Sequence, residues 1–455
     1  MARRRKVIVG LGGTGLSYAR YLAARAEKFQ VLDDHPMDRN LSALREIDGE
    51  AEVRAITHED LIEAEEIFVS PGVPLAKPEL AAARKRGARL RGDIEIFGEL
   101  ASAPIVAITG TNGKSTVSQL VTLMVQAQQI DVVLAGNIGT PCLDVLFNDP
   151  QLYVLELSSY QLELALSFPA KVAVVLNLSP DHMDRYVDVD TYYNTKLNLY
   201  QHCETAVVNR SLMSSLPAMP DKRVASFGLD QVNGEGQFGL ARIDGAVSLM
   251  HGDEVLMACN ELQISGTHNF VNVLAALATG WLLGLAMPQM LATAKAFTGL
   301  PHRNELINEI DGVKYINDSK ATNPGAMLAS VMGQADECNV HLIAGGETKG
   351  LEFESSANQL APYLKSVLLI GESQEQLKRA FSGKDTAPYG PVSYGSLSYE
   401  TVSCADMHQA VLAAHAKAEP GDIVLLSPGC ASFDQFADYI ARGNEFRRCV
   451  LELVS

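Results

Sequence analysis

ITGTNGKSTVSQL, residues 108–120, decides how this 455-residue chain folds. It continues the apolar run Ile105-Val106-Ala107, turns through two glycines and passes into apolar residues at helical spacing. Strand, glycine turn and helix in that order open a parallel α/β unit. The turn also carries chemistry, because its backbone N–H groups and those of the helix behind it make a positive cavity for phosphate oxygens. Lys114 can neutralise β- and γ-phosphates, and Ser115 or Thr116 can ligate Mg²⁺. Ile108 stands where the first glycine of a full GxxxxGK[ST] loop would be, so the loop departs from the common pattern. Packing gives no reason for a lysine between a glycine and two hydroxyls at a helix start. The expected ligand is ATP.

The same grammar recurs on both sides. VIVGLGGTG (7–15) puts Gly10, Gly12 and Gly15 in GxGxxG spacing after a strand, and Asp33 and Asp34 close the next one. NAD is the first ligand this suggests; glycines that merely permit a tight turn are the alternative. EEIFVSPGVP (65–74) is a further strand, broken at Ser70-Pro71-Gly72. Beyond the ATP loop, LYVLELSS (152–159) and KVAVVLNLSP (171–180) are apolar runs with polar endings, and residues 204–264 are rich in short strand-like runs and glycine turns. FTGLPHRNE (297–305) marks a boundary. After it, VKYINDSKATNP, NVHLIAGGETKG, SVLLIGES and DIVLLSPGCASFDQF repeat the pattern of strand and polar turn. The expectation is an α/β chain of three domains. Residues 1–92 form a Rossmann-like domain. Residues 93–298 form a central P-loop-type ATPase domain, with a mostly parallel sheet and a small β appendage. Residues 299–455 form a second Rossmann-like domain. Hinges are expected near residues 93 and 299.

Composition excludes several function classes. With 47% hydrophobic and 20% charged residues the chain is an ordinary folded one, and its formal charge of −17 repels nucleic acid and anionic membranes. A phosphorylated ligand must therefore be held by local positive groups. Seven dispersed cysteines with no CxxC pair read as free thiols. The start MARRRKVIVGLGG lacks the apolar stretch of a signal peptide, and no apolar run is long enough to span a bilayer, so a cytoplasmic address is expected.

Strand endings supply the remaining candidates. Glu156, flanked by apolar residues, is costly there unless paired or metal-bound. NLSPDHMDRY offers Asp181, His182 and Asp184. Lys196 gives no signal by periodicity. In the third unit His302, Arg303, Asp318, Lys320, Thr322, Asn323, Lys349 and Ser432 gather positive and hydroxyl groups at strand ends, which suits an anionic substrate such as a dicarboxylate. Loop solvation is the plainer reading for Lys349 taken alone.

GTNGKST, AGNIG, LELSSYQLE, NLSPDHMDRY, GTHNFVN, GLPHRNE and NDSKATNP, in that order over nearly the whole chain, resemble the motifs of the Mur ligases of peptidoglycan synthesis. LELSSYQLE and LLSPGCASFDQF are most similar to the D-glutamate-adding branch, and the DNPR-like motif of the diaminopimelate-adding branch is absent. Folylpolyglutamate synthase shares the ATP loop without such an N-terminal unit. The resemblance implies an ATP-dependent amide ligase that joins D-glutamate to UDP-N-acetylmuramoyl-L-alanine through an acyl phosphate.

It also implies that the first glycine turn holds a uridine diphosphate handle in place of NAD. Gly12, Gly13, Thr14, Asp33, Asp34, Ser70 and Gly72 would contact the handle, with Asn137 and His182. ATP would meet Gly110, Thr111, Asn112, Gly113, Lys114, Ser115, Thr116, Asn272, His302, Arg303 and Asp318. Two Mg²⁺ ions would use Ser115, Glu156, His182 and a carbamylated Lys196. Lys114, His182 and Lys196 would be catalytic. D-Glutamate would meet Lys320, Thr322, Lys349 and Ser432, with Phe433 and Tyr439 nearby. A monomer is expected. The rival readings are a ligase adding another amino acid, an NAD-dependent oxidoreductase and a non-enzymatic nucleotide switch.

Overall fold

Apolar runs such as VIV (7–9) and LIAG (342–345) bury both faces at once, as strands of a helix-covered parallel sheet must. The computed structural model describes residues 6–165, 167–217, 219, 221–264, 266–335, 338–382 and 399–454. Their strands form three sheets.

The first sheet contains β1 (Lys6–Val9), β2 (Phe29–Leu32), β3 (Val53–Arg54), β4 (Glu66–Val69) and β5 (Arg89–Arg91) in the order β3-β2-β1-β4-β5, all parallel. The order reverses at β1, where the glycine turn leaves the sheet.

The second sheet contains β6 (Ile105–Thr109), β7 (Val132–Gly136), β8 (Leu152–Glu156), β9 (Val172–Val175), β10 (Thr205–Asn209), β11 (Arg223–Phe227), β12 (Gln237–Ile243), β13 (Ala246–His251) and β14 (Glu254–Ala258). Its order is β14-β13-β12-β11-β10-β9-β6-β8-β7, so the β-rich appendage is built on to the edge of the nucleotide sheet. Only the β12–β13 hairpin turns antiparallel among the registers from β7 to β13.

The third sheet contains β15 (Glu305–Ile310), β16 (Val313–Asn317), β17 (Val340–Gly345), β18 (Leu364–Ile370), β19 (Glu400–Ser403) and β20 (Ile423–Leu426) in the order β15-β16-β20-β17-β18-β19. It is parallel apart from the β15–β16 hairpin.

The chain divides into two compact units. One is drawn from Met1–Leu178, Asp190–Met257 and Asn272–Ala294, and the other from Ser179–Val189, Ala258–Val271 and Lys295–Ser455. The first two sheets thus share a unit, and one apolar cluster runs from Ile8, Tyr18 and Leu22 through Phe97 to Tyr153 and Leu155. Polar contacts fasten the same seam: Asp144 Oδ1 accepts from Ser17 Oγ and Arg20 Nε, both at 2.9 Å. Residue 93 does not behave as the expected hinge. Asp93 is buried at the start of the helix Asp93–Leu100, and its Oδ2 accepts from Gln161 Nε2 at 2.9 Å. Burial pushes its carboxyl above the usual range. A junction so packed cannot swing without exposing that group.

All seven cysteines are free thiols. No helix among the described residues is long and apolar enough to cross a membrane.

Candidate active site

Beyond β1 the backbone turns at Gly10, whose φ of +91° suits glycine, and a Cβ at Gly15 would stand 2.1 Å from the Gly10 carbonyl oxygen. These two glycines therefore serve the turn and the close helix–strand packing. Above Gly12, Gly13 and Gly72 a Cβ would meet open space among the described residues. The helix Gly13–Ala24 begins with neither a side-chain cap nor an acid in its first turn, which leaves its N–H groups and positive end to an anion. Thr14 lies in that first turn.

The acids beyond β2 hold the turns. Asp33 accepts from the Leu11 N–H at 2.6 Å and the His35 N–H at 2.7 Å. Asp34 accepts from Lys77 Nζ at 2.9 Å and the Ile56 N–H at 3.0 Å, and the lysine holds its carboxyl below the usual range. Ser70 Oγ donates to the Gly10 carbonyl at 2.6 Å. Asn40, which sequence reasoning missed, donates to the Leu11 carbonyl at 2.7 Å. Of the predicted handle-binding residues, Gly12, Gly13, Thr14, Asp33, Asp34, Ser70 and Gly72 lie beyond the carboxyl ends of β1, β2 and β4, where open parallel sheets bind ligands, whereas Asn137 follows β7 and His182 belongs to the second unit.

The lysine turn is more tightly specified. The helix Lys114–Gln126 also starts uncapped and without an acid. Gly113 has φ +83°, and a Cβ there would stand 2.4 Å from Asn272 Oδ1, so Asn272 is seated against the loop. Asn177, unforeseen from sequence, accepts from the Asn112 N–H at 2.8 Å and donates to the Asn112 carbonyl at 3.0 Å. Thr111 Oγ1 meets Tyr192 OH at 3.1 Å. Ser115 and Thr116 are buried.

Lys114 Nζ donates to the carbonyls of Gly110 (2.9 Å) and Thr111 (2.8 Å). Lys196, buried on the helix Val189–Leu197, donates to the same Gly110 oxygen at 3.0 Å. Two ammonium groups thus share one carbonyl.

Register puts Glu156 opposite Ile108 on one side and Gly136 on the other, directly beside the loop strand. Its Oε1 accepts from Asn137 Nδ2 at 2.8 Å, while Oε2 is buried with no hydrogen-bond partner among the described residues. A buried carboxylate oxygen left bare is costly unless a cation completes it. Among the described residues no group of three or more His, Cys, Asp and Glu side chains gathers around a metal position. The donors in this unit that fit a hard cation are oxygens, the Ser115 hydroxyl and Glu156.

The second unit brings together the remaining candidates. His182 takes left-handed backbone (φ +58°), and its N–H donates to Asp181 Oδ1 at 2.9 Å. Of the nine non-glycine residues with positive φ among those described, His182, His302, Asn304 and Lys349 lie on these loops. Such strain concentrates where surroundings over-determine a site.

His302 is buried, with Nδ1 3.0 Å from Asn317 Nδ2, and burial lowers its pKa. Arg303 lies next to it in the chain, and its charge partly offsets the burial that raises the Asp318 carboxyl to about 7. Lys320 Nζ sits 3.9 Å from the centroid of the Tyr439 ring, a cation–π contact that joins two predicted amino-acid residues. Thr322 follows on the same turn. Lys349 lies on the turn after β17, and Glu347 on that turn bridges Ala431, next to the buried Ser432. Phe433, 67% exposed, faces outward.

Sequence reasoning missed Arg442. Its buried guanidinium donates to Ser319 Oγ (3.0 Å) and to the carbonyls of Ser319 (2.8 Å), Cys430 (3.1 Å) and Ala431 (3.2 Å). An arginine in an ordinary amphipathic stretch carries no motif that would have exposed this role.

A lysine-bearing phosphate turn beside a half-satisfied carboxylate, with a second glycine turn on a parallel sheet before it and a third parallel sheet after it, defines a three-domain α/β nucleotide-using class. Residues 4–92 match the Mur ligase MurD-like N-terminal domain, residues 108–280 the Mur ligase middle domain, and residues 302–430 the Mur ligase glutamate ligase domain. The chain belongs to the Mur ligase family. It is 43% identical over 451 residues to UDP-N-acetylmuramoylalanine–D-glutamate ligase of Marinobacter nauticus, covering 98% of each chain. It is 41% identical over 456 residues to the ligase of that name from Nitrosococcus oceani, covering 99% of this chain and 97% of that one. Among solved structures, a MurF ligase from Thermotoga maritima in complex with ADP shares the fold at a TM-score of 0.61 and 15% identity, covering 100% of this chain and 99% of that one. UDP-N-acetylmuramate–alanine ligase from the same organism shares it at 0.59 and 16%, covering 99% of each.

Proposed function

We propose that this chain is the ligase that adds D-glutamate to UDP-N-acetylmuramoyl-L-alanine at the expense of ATP, acting as a cytoplasmic monomer with domains at 1–92, 93–298 and 299–455. The observation that carries the reading is the bare, buried oxygen of Glu156 in register beside the uncapped Lys114 turn. Near-full-length likeness to relatives bearing that name supports the choice of substrates.

The alanyl carboxylate attacks the γ-phosphorus of ATP, and the bond to the β-phosphate oxygen breaks to release ADP. The D-glutamate amine then attacks the acyl phosphate carbonyl, loses a proton, and the tetrahedral intermediate expels phosphate to leave the amide. Lys114 offsets the charge that builds when a carboxylate approaches a triphosphate. The loop N–H groups and Asn272 orient the nucleotide, and His302, Arg303 and Asp318 serve ATP as well. Ser115, Glu156, His182 and a carbamylated Lys196 would hold magnesium, which when bound supplies further neutralisation of phosphate charge. Gly12, Gly13, Thr14, Asp33, Asp34, Ser70, Gly72, Asn137 and His182 grip the uridine-linked sugar. Lys320, Thr322, Lys349 and Ser432 grip D-glutamate, flanked by Tyr439 and Phe433. Carbamylation of Lys196 needs the neutral amine, the form that attacks carbon dioxide, and burial of this side chain disfavours its charged form.

The test is phosphate release with UDP-N-acetylmuramoyl-L-alanine, ATP and a panel of amino acids. Release should require D-glutamate and yield the amide in equal amount. Turnover that ignores the amino acid, or that responds to a different one, refutes the assignment.

A further inference from the structure

The loop that carries His182 lies in the same compact unit as the third sheet, and a buried hydrogen bond ties it to the Lys320 turn. Asn323 Nδ2 donates to Asp181 Oδ2 at 3.1 Å, and both residues are buried. Each partner has a second bond. Asn323 Oδ1 accepts from the Ala326 N–H at 2.8 Å and so caps the helix Pro324–Gln334. Asp181 Oδ1 accepts the N–H of His182, the residue with left-handed backbone. Non-glycine residues hold that conformation only where neighbours fix it. The path from the His182 backbone to Asp181 and on to Asn323 therefore runs through two hydrogen bonds, of 2.9 and 3.1 Å, the second between buried groups, and Asn323 directly follows Thr322 in the chain. Packing on both sides reinforces it: Met183 packs against the core cluster that contains Met327 and Val331, and a Cβ at Gly325 would stand 3.4 Å from Ser179 Oγ.

We infer that the Asp181–Asn323 pair is a positioning device that sets the His182 loop in register with the Lys320–Thr322 turn. Neither residue needs to touch a substrate: Asn323 acts through the helix start it caps, and Asp181 acts through the His182 backbone and, with Oδ2 3.8 Å from Nε2, through the His182 ring. The inference rests on the function proposed above, in which His182 meets the uridine-linked substrate and Lys320 and Thr322 meet the incoming amino acid. Aligning two reacting groups is worth more than holding either one, so a loosened register raises the amino-acid requirement more than it weakens ATP, whose phosphates meet the Lys114 turn.

The pair admits an exchange test. In D181N two amides face each other, and in N323D two carboxylates do; in the double variant D181N/N323D donor and acceptor trade places. Aspartate still caps a helix, so the exchange keeps the second bond of each partner. N323S keeps a capping oxygen but cannot reach Asp181, which separates positioning from folding.

Each single variant should raise KM for D-glutamate about tenfold, the scale of one lost charge-assisted hydrogen bond, with KM for ATP changed less than about twofold. Backbone amide exchange across residues 181–186, measured without substrate or metal, should quicken in the single variants. The double variant should restore both readouts. An exchanged pair no better than the worse single variant, or equal rises in KM for ATP and D-glutamate, overturns the inference. A wrong amino acid shows already in the wild-type enzyme, whereas a wrong pairing shows only among the variants.

Discussion

Lys114 and Lys196 show how much one carbonyl can organise. Both ammonium groups rest on Gly110, so the loop is held by the residues that would serve its ligand. Lys114→Ala should leave the melting temperature within a few degrees while lowering kcat by a factor on the order of 10²–10³, the usual cost of removing one preorganised charge-stabilising group; near-normal turnover contradicts the role. Lys196→Ala should abolish turnover and regain part of it with added short carboxylates, since these can stand where a carbamate oxygen stood. No regain, together with an unmodified lysine by crystallography, removes the carbamate.

A third residue sets a pH limit. His268 has Nε2 3.1 Å from Asn304 Nδ2, and burial pushes its pKa from 6.5 down to about 4. The unfolded chain takes up a proton near 6.5 that the folded state refuses until about 4. Stability from the neutral ring is therefore complete above 6.5 and is lost as pH falls toward 4. Asp318, raised to about 7, acts in the opposite sense, its contribution fading as pH rises through that value. Comparing wild type with His268→Gln cancels the Asp318 effect. Between pH 6.5 and 4 the wild-type melting temperature should fall more steeply than that of the variant, and parallel curves contradict this origin.

At the scale of elements, strands and turns were legible in the sequence because parallel strands are written as unbroken apolar runs ending in glycine, serine or aspartate. The lysine loop was legible for a further reason: its glycines and lysine have spacing that packing does not explain. What sequence hid were the groups that hold loops by bonding their own backbone. Asn177, Asn317, Ser319 and Arg442 obey no spacing rule, and each has a partner far away in the chain: Asn112, Gly443, Tyr439 and Ser319 respectively. His341 is a comparable case. It bonds Ser366 Oγ at 2.8 Å and Asp422 Oδ2 at 3.2 Å, a Ser–His–Asp set buried at the amino ends of β17, β18 and β20, where it pins strands.

Arg442, on the helix Tyr439–Glu452, binds the turn after β16 to the turn after β20. Burial lowers its pKa to about 10, which still leaves the guanidinium charged at neutral pH, and Nε, Nη1 and Nη2 all donate. Arg442→Met keeps the apolar stem but leaves buried carbonyls unpaired, and should destabilise the protein by about 3 kcal/mol by denaturant titration. A change below measurement error contradicts the account.

At the scale of the molecule, the expected three sheets are present, yet compactness follows a different division from the boundaries at 92 and 298. The reason lies in contacts of very large sequence separation. Ser17 and Arg20 reach Asp144, and Asp93 reaches Gln161, so the first two sheets are welded through side chains that no local pattern pairs. Likewise Ser179–Val189 leaves the sheet its strand belongs to and packs with the second unit. With a formal charge of −17 over the chain, the two glycine turns, each opening on an uncapped helix N-terminus without an acid, are local exceptions to the surrounding field.

The central claim is that these two turns take different nucleotides, one consumed and one carried. Calorimetric titration of wild type and Lys114→Ala with UDP-N-acetylmuramoyl-L-alanine and with a non-hydrolysable ATP analogue addresses it directly. Wild type should bind one of each without competition, and the variant should retain the uridine-linked ligand at unchanged affinity while losing the analogue. Mutual displacement in wild type, or loss of both ligands in a folded variant, contradicts the account.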